Sequence, residues 1–269
     1  MQVRLTKHQA LGNDFLVYDL AQGRPSGPWP DLARRWCDRR FGIGADGLLI
    51  LENHGERHLA MKLYNADGSS AEISGNGIRC LVQAAHTADG APMGVTYEVV
   101  TDAGLRHVEV VADDRNGTIQ ASVAMGEVSD LPVPANWEVL GCQPDRPVAH
   151  VSLGNPHSVV AVEDVNAVPL QELGEKVPHV NLEIVEPGPE HDAVTMRVHE
   201  RGAGITLACG SGACASAYAA KKWGLVARSV TEVLVHMDGG DARVRIDEST
   251  RMATLIGPSV FIASISVSA

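Results

Sequence analysis

The chain has 269 residues, 45% hydrophobic and 20% charged, enough for a full core in one large domain or two medium ones. Its formal net charge of −11 argues against nucleic acid and anionic membrane as partners, since both would be repelled. The opening MQVRLTKHQALGNDF has no apolar core or small-residue cleavage site, and no run approaches the roughly 18 apolar residues of a span, so neither a secretion signal nor a membrane helix is expected.

In chain order, alternation and β-branched enrichment predict strands at Val3–Thr6, Leu16–Asp19, Leu48–Leu51, Leu59–Tyr64, Tyr97–Thr101, His107–Val111 and Thr118–Val123. A second set follows at Ala149–Leu153, Ser158–Val162, Asn181–Val185, Ala193–His199, Glu232–His236, Ala242–Ile246 and Val260–Ser266. An amphipathic helix is predicted over Asp31–Arg39, with Asp31 as N-cap and Leu32, Trp36 and Cys37 on its apolar face. A short helix is predicted over Leu170–Lys176.

Two further helices begin with glycines. Ser74-Gly-Asn-Gly leads an apolar run to Ala85, and Cys209-Gly-Ser-Gly leads another to Ala220. Both runs are apolar nearly all round, the mark of a helix buried on every side. A Gly-Asn turn precedes each: Gly12-Asn13 lies 62 residues before Ser74, and Gly154-Asn155 lies 55 residues before Cys209. Two such pairings in register indicate a duplicated unit. A proline-rich passage, Leu131–Pro134 followed by Pro144 and Pro147, separates the copies. The expected fold is therefore α+β: two pseudo-symmetric domains, each a strand-rich, barrel-like layer around one central helix, with the active site in the cleft between them.

A helix N-terminus offers unpaired N–H groups and partial positive charge, and glycines there let a ligand approach bare backbone. Two such termini would hold one carboxylate, and the residue before each Gly-x-Gly would stand beside the carbon that bears it. At Cys209 the helix start is expected to lower the thiol pKa, and a thiolate there could remove an α-proton. A second acid on the opposite face would return a proton with inversion, which is two-base racemisation.

The other cysteines read differently. Cys80 and Cys214 lie within the apolar helices and read as core, as does Cys37. Cys142 carries no evident chemistry. Five cysteines at irregular spacings read as reduced thiols of a cytoplasmic protein, and no CxxC or HxxxH pair points to a metal. Glu200 and Arg201 precede the glycine turn that feeds the Cys209 helix; Arg201 suits a carboxylate and Glu200 an ammonium group. Asn13, Asn65, Asn155 and Asn181 stand at strand ends, where each alone is an ordinary turn residue. His157 alone reads as a surface or core imidazole.

These residues carry a resemblance. LGNDF (11–15), RRFGIGADG (39–47), NADGSSAEISGNGIRC (65–80), LGNPH (153–157) and ERGAGITLACGSGACA (200–215) together resemble the diaminopimelate epimerase family over the whole chain. The resemblance implies a PLP-independent isomerase that converts LL-2,6-diaminopimelate to the meso form for lysine and cell-wall synthesis, with no cofactor, and a homodimer. It implies a first domain of residues 1–122 plus 259–269, carrying Ser74, and a second of 123–258, carrying Cys209. It implies that Gly75, Asn76, Gly210 and Ser211 hold the α-carboxylate through backbone. Asn65, Asn155, Asn181, Glu200 and Arg201 would hold the distal end, with Asn13 lining the pocket, and His157 and Glu200 would assist the acid–base groups.

Two positions depart from the family. Ser74 stands where the family usually has Cys, and Gly47 stands where some members have Gln. Serine is a weak base unless a partner activates it. Three readings of Ser74 stay open: an engineered replacement, a natural serine with His157 or water sharing the proton transfer, or one-base chemistry. Alternatives for the whole chain are a racemase or dehydratase of the same fold acting on another amino acid, and a non-catalytic amino-acid-binding homologue. Retention of Asn65, Asn181 and Arg201 argues against a small cyclic substrate.

Overall fold

The computed structural model describes residues 2–268. Strand β1 (Gln2–Ala10) turns through Leu11 and Gly12, at φ 53° and 85°, into the antiparallel β2 (Asn13–Asp19). Positive φ at both turn residues is the two-residue hairpin geometry that matches strand twist. Helix α1 (Trp29–Cys37) crosses to β3 (Gly47–Asn53), which runs parallel to β2. Then come β4 (His58–Asn65), β5 (Ser70–Ala71), α2 (Gly75–Asp89), β6 (Val95–Thr101, parallel to β4), β7 (Gly104–Asp113) and β8 (Thr118–Glu127).

The same succession then repeats. After β9 (Ser129–Asp130), β10 (Val148–Ser152) pairs with β11 (Pro156–Ala161), and α3 (Leu170–Lys176) crosses to the parallel β12 (Asn181–Pro187). Next are β13 (Ala193–Glu200), β14 (Gly204–Thr206), α4 (Gly210–Trp223), β15 (Glu232–Met237, parallel to β13), β16 (Gly240–Ile246) and β17 (Met252–Ser268). Contacts divide the chain into Met1–Val123 with Gly257–Ala269, and Ala124–Ile256. In the first unit the order β1-β2-β3-β4-β6-β7-β8-β17 returns to β1, closing an eight-stranded barrel. Closure leaves no open sheet edge.

The parallel pairs explain the longest apolar runs. In β2, Leu16 and Tyr18 pack with Leu48 and Ile50 of β3 against Leu32 and Trp36 of α1. Residues of opposite parity, among them Phe15 and Leu49, point to α2, where both approach Gly77. Strands buried on both faces read as continuous hydrophobic segments. In the second unit Val160, Leu182 and Ile184 pack on Leu170 of α3 in the same way. Among the described residues no helix is long and apolar enough to cross a membrane.

The short strands β5, β9 and β14 are not among the expected ones, and two further departures have a clear physical reason. Helix α1 starts at Trp29, with Pro28 as N-cap, and ends at Cys37. Asp31 is thus a first-turn residue, paired with Arg34, and not the cap. Proline in the first turn has its φ pre-set and no N–H to satisfy, so no side-chain cap is required. The last strand begins at Met252 and not Val260, because residues 253–256 first pair with β16 before the strand continues beside β1.

A buried polar cluster in the first unit makes stability pH-dependent. His8 lies between Gln83 Oε1 and Thr6 Oγ1, each at 2.9 Å, and burial drives its pKa down to about 4 against the opposing Gln83 contact. The folded state holds His8 neutral, while the unfolded chain titrates near 6.5. This contribution is therefore complete above pH 6.5 and is lost as pH falls toward 4, by on the order of 3 kcal/mol. Urea unfolding of the wild type at pH 7 and pH 4.5 is expected to show that loss, and His8→Leu to show a flatter pH dependence.

Candidate active site

Cys209 is extended, at φ −130° and ψ 114°, and stands at the N-cap of α4. Gly212 is required by close approach: a Cβ there would lie 2.7 Å from Glu183 Oε1 and 3.3 Å from Cys209 Cβ. Glu183 and His157 are both fully buried, with His157 Nδ1 2.6 Å from Glu183 Oε1. On its other side, His157 Nε2 lies 3.1 Å from Asn155 Oδ1. Asn155 Nδ2 donates to Ser211 Oγ at 3.4 Å, and Ser211 Oγ is 3.6 Å from Cys209 Sγ. Cys209, Ser211, Asn155, His157 and Glu183 thus form one hydrogen-bonded chain within the second unit. Beside it, Arg201 N–H donates to Asn181 Oδ1 at 2.8 Å, and Thr206 Oγ1–H donates to Glu200 Oε1.

The electrostatics of Cys209 reverse the expectation from the helix start. Burial, then Glu200, then Glu183 raise its pKa well above that of a free thiol; the Ser211 hydroxyl and the Gly212 N–H oppose them and lose. The thiol is only 5% exposed, and a thiolate there would face two carboxyl groups with little water. The free protein therefore holds Cys209 as a neutral acid. Glu183 itself is raised by burial, with His157 opposing.

Ser74 has nearly the same backbone, at φ −134° and ψ 125°, and caps α2 by accepting from Gly77 N–H at 3.0 Å. Asn76 Nδ2 donates to Asn13 Oδ1 at 2.6 Å, and Asn13 Nδ2 donates to Asp46 Oδ2 at 3.0 Å. Arg39 binds Asp14 at 2.6 Å and Asp46 at 2.8 Å, and Lys7 reaches Asp14 at 2.8 Å. Burial pushes the Asp14 carboxyl up, but Arg39 and Lys7 outweigh it and hold it below the ordinary value. The LGNDF and RRFGIGADG segments therefore meet in one ion-pair network. Arg79, fully buried, donates to Asn76 Oδ1 at 2.7 Å and to Gly75 O at 3.1 Å, which fixes the first turn of α2. Asn65 pairs with Gly47 across β3 and β4, next to Asp46; its side chain is exposed and donates to Ser69 Oγ at 3.0 Å.

Strand register makes the two clusters comparable. Phe15 pairs with Gly47 across β2 and β3, as His157 pairs with Asn181 across β11 and β12. Two residues further along β3 and β12 stand Leu49 and Glu183. The polar pair behind Cys209 is thus matched by Phe15 and Leu49 behind Ser74. Gly47 also has a physical reason, since a Cβ there would come 2.8 Å from the Tyr64 carbonyl. Sequence reading missed Glu183, Arg79 and the Arg39 network. The signals were a carboxylate inside the apolar strand Asn181–Val185 and a cation inside the apolar helix from Ser74.

The diaminopimelate epimerase family model matches residues 5–131 and 149–262. The chain belongs to the diaminopimelate epimerase family. Diaminopimelate epimerase from Thermosynechococcus vestitus is 38% identical over 98% of this chain and 99% of that one. The one from Synechococcus elongatus is 37% identical over 98% of each. Among solved structures, a predicted epimerase from Pseudomonas aeruginosa shares the fold with a TM-score of 0.76 at 15% identity, covering 99% of each chain. A hydroxyproline epimerase from Agrobacterium vitis shares it with a TM-score of 0.68 at 14% identity, over 99% of this chain and 92% of the other. As a member of the diaminopimelate epimerase family the protein is an isomerase of the epimerase and racemase kind.

In this family member the helix-start glycines differ in what they tolerate. Gly212→Ala would drive a methyl group into Glu183 and is expected to cost about 1–3 kcal/mol as overpacking. At Gly77 the nearest atom to an added Cβ is Ser74 Cβ at 3.2 Å, so Gly77→Ala is expected to be milder. Thermal melts of both variants would check the contrast.

Proposed function

We propose that the protein epimerises LL-2,6-diaminopimelate to the meso form by proton transfer at the α-carbon, without pyridoxal phosphate. Cys209 is one acid–base group, and Ser74 occupies the corresponding position in the other repeat. The observation that carries this reading is that both residues cap buried, Gly-x-Gly-started helices in the same extended backbone conformation. Backbone N–H groups at Gly75, Asn76, Gly210 and Ser211 bind the α-carboxylate and stabilise charge as the carbanion develops. Asn65, Asn155, Asn181, Glu200 and Arg201 bind the distal amino-acid end, and Asn13 lines the pocket. His157 and Glu200 support the acid–base step.

Glu200 has a second part in this scheme. Its charge helps keep the free thiol protonated, and a substrate ammonium paired with it would relieve that effect. Substrate itself would thus bring Cys209 closer to ionisation. The protein acts as a homodimer in this proposal. The deciding experiment incubates LL-diaminopimelate with the protein in heavy water and follows α-deuteration and chirality. Incorporation with formation of the meso isomer supports the reading. Tight binding without exchange over hours would overturn it in favour of a binding protein.

A further inference from the structure

We infer that Glu183 is a positioning residue of the Cys209 cluster: its carboxyl fixes the His157 ring and, through His157, Asn155 and Ser211, orients the thiol. The inference rests on the proposed proton transfer at Cys209. It begins from four observations. Glu183 and His157 are both fully buried and 2.6 Å apart. Among the described residues Glu183 Oε2 has no hydrogen-bond partner, so the carboxyl is held for its contact to His157 and not by a wider network. The start of α4 is shaped around it, because only glycine at 212 leaves room for Oε1. The first unit offers an internal comparison, since Leu49 occupies the matching place behind Ser74.

A buried carboxyl costs free energy unless it is compensated, so an apolar residue there would satisfy folding alone. The first unit does this with Leu49. The carboxyl in the second unit therefore answers to something besides packing. With the Nε2–H of His157 given to Asn155 Oδ1, one proton is shared between Nδ1 and Glu183 Oε1. That proton fixes which ring nitrogen faces Asn155. It also fixes the amide so that its NH₂ group points to Ser211, and hence the hydroxyl that meets Cys209 Sγ. Behind metal-bound histidines a carboxylate that orients the ring is worth about tenfold to a hundredfold, and an effect of that order is expected here.

The test compares wild type with Glu183→Gln and Glu183→Leu, the latter copying Leu49. Two readouts are needed. The first is the far-downfield proton resonance of the Nδ1–H···Oε1 contact, which does not depend on substrate identity. It is expected in wild type and absent in both variants and in His157→Asn. The second is exchange of the diaminopimelate α-proton with solvent deuterium, with its pH profile, because overall inversion in wild type is limited at Ser74. Both Glu183 variants are expected to lose about tenfold to a hundredfold in kcat for exchange with little change in KM, and to shift the pH dependence of that kcat. Circular dichroism and thermal melts establish folding; if the leucine variant does not fold, the near-isosteric glutamine variant decides. A folded variant with unchanged kcat and pH profile overturns the inference, as does absence of the resonance in wild type. Wild type that shows the resonance but does not exchange the diaminopimelate α-proton would instead refute the substrate reading, and exchange on the true substrate would then take its place in the comparison.

Discussion

Replacing Cys209 by alanine is expected to abolish exchange of the substrate α-proton with solvent deuterium, a loss of about 10²–10⁴ or more in rate. Neither Ser211 nor His157 is suited to take over the transfer. Ser211 presents a hydroxyl of high pKa, and His157 is fully buried with both ring nitrogens engaged. Full exchange in the alanine variant would remove Cys209 from the mechanism. The pH dependence gives a sharper check. Burial, Glu200 and Glu183 all favour the protonated thiol, so free Cys209 ionises only at high pH. In the direction that uses Cys209 as base, kcat/KM is expected to rise with pH through the neutral range. The limb for kcat is expected at lower pH, because the bound ammonium offsets Glu200. In the direction that uses Cys209 as acid, kcat/KM should stay flat over the same range. Coincident limbs for kcat and kcat/KM would show that substrate does not relieve the Glu200 effect.

Ser74→Cys is expected to raise epimerisation by about 10²–10⁴. Ser74 is placed like Cys209 at a helix start but has different side-chain neighbours. Its oxygen accepts from Gly77 N–H, and Phe15 and Leu49 stand where the second unit has His157 and Glu183. Nothing among these neighbours can take the hydroxyl proton, and serine is a weak base without such a partner. A thiol depends less on an activating base, since a free thiol is already a few per cent ionised near neutrality, and Ser74 is only half-buried. The gain comes with a modest loss of stability, about 0.5–2 kcal/mol, because the serine N-cap is given up. Chiral chromatography measures the first effect and a thermal melt the second. Unchanged epimerisation would show that Ser74 lies outside the proton path.

The two clusters are unequal in charge as well as in nucleophile. A fully buried arginine underlies the first turn of α2, and a fully buried carboxyl lies against the first turn of α4. The duplication has kept the backbone and changed the titratable groups. Exchange at the Cys209 face is therefore expected to outpace inversion in wild type, and Ser74→Cys to bring the two rates together.

Much of this was readable from local pattern. Alternation located the strands, and the Gly-x-Gly starts after Ser74 and Cys209 located the two central helices, because each of these signals is carried by adjacent residues. The repeat of Gly-Asn turn, strands and glycine-started helix marks the duplication in the sequence itself. Other features depended on distant partners. Glu183 became a site residue only when the parallel register of β11 and β12 set it beside His157, and when Gly212, 29 positions later, left room for it. The ion pairs of Arg39 with Asp14 and Asp46 likewise join separate segments. Cys209 shows the limit most clearly. A helix start alone predicts a lowered thiol pKa, and that prediction was wrong in sign. Desolvation and two carboxyl groups brought in by strands β12 and β13 outweigh the helix N–H, since burial removes the water that would screen them. Sequence located the thiol; its protonation state was settled by what the fold packed around it.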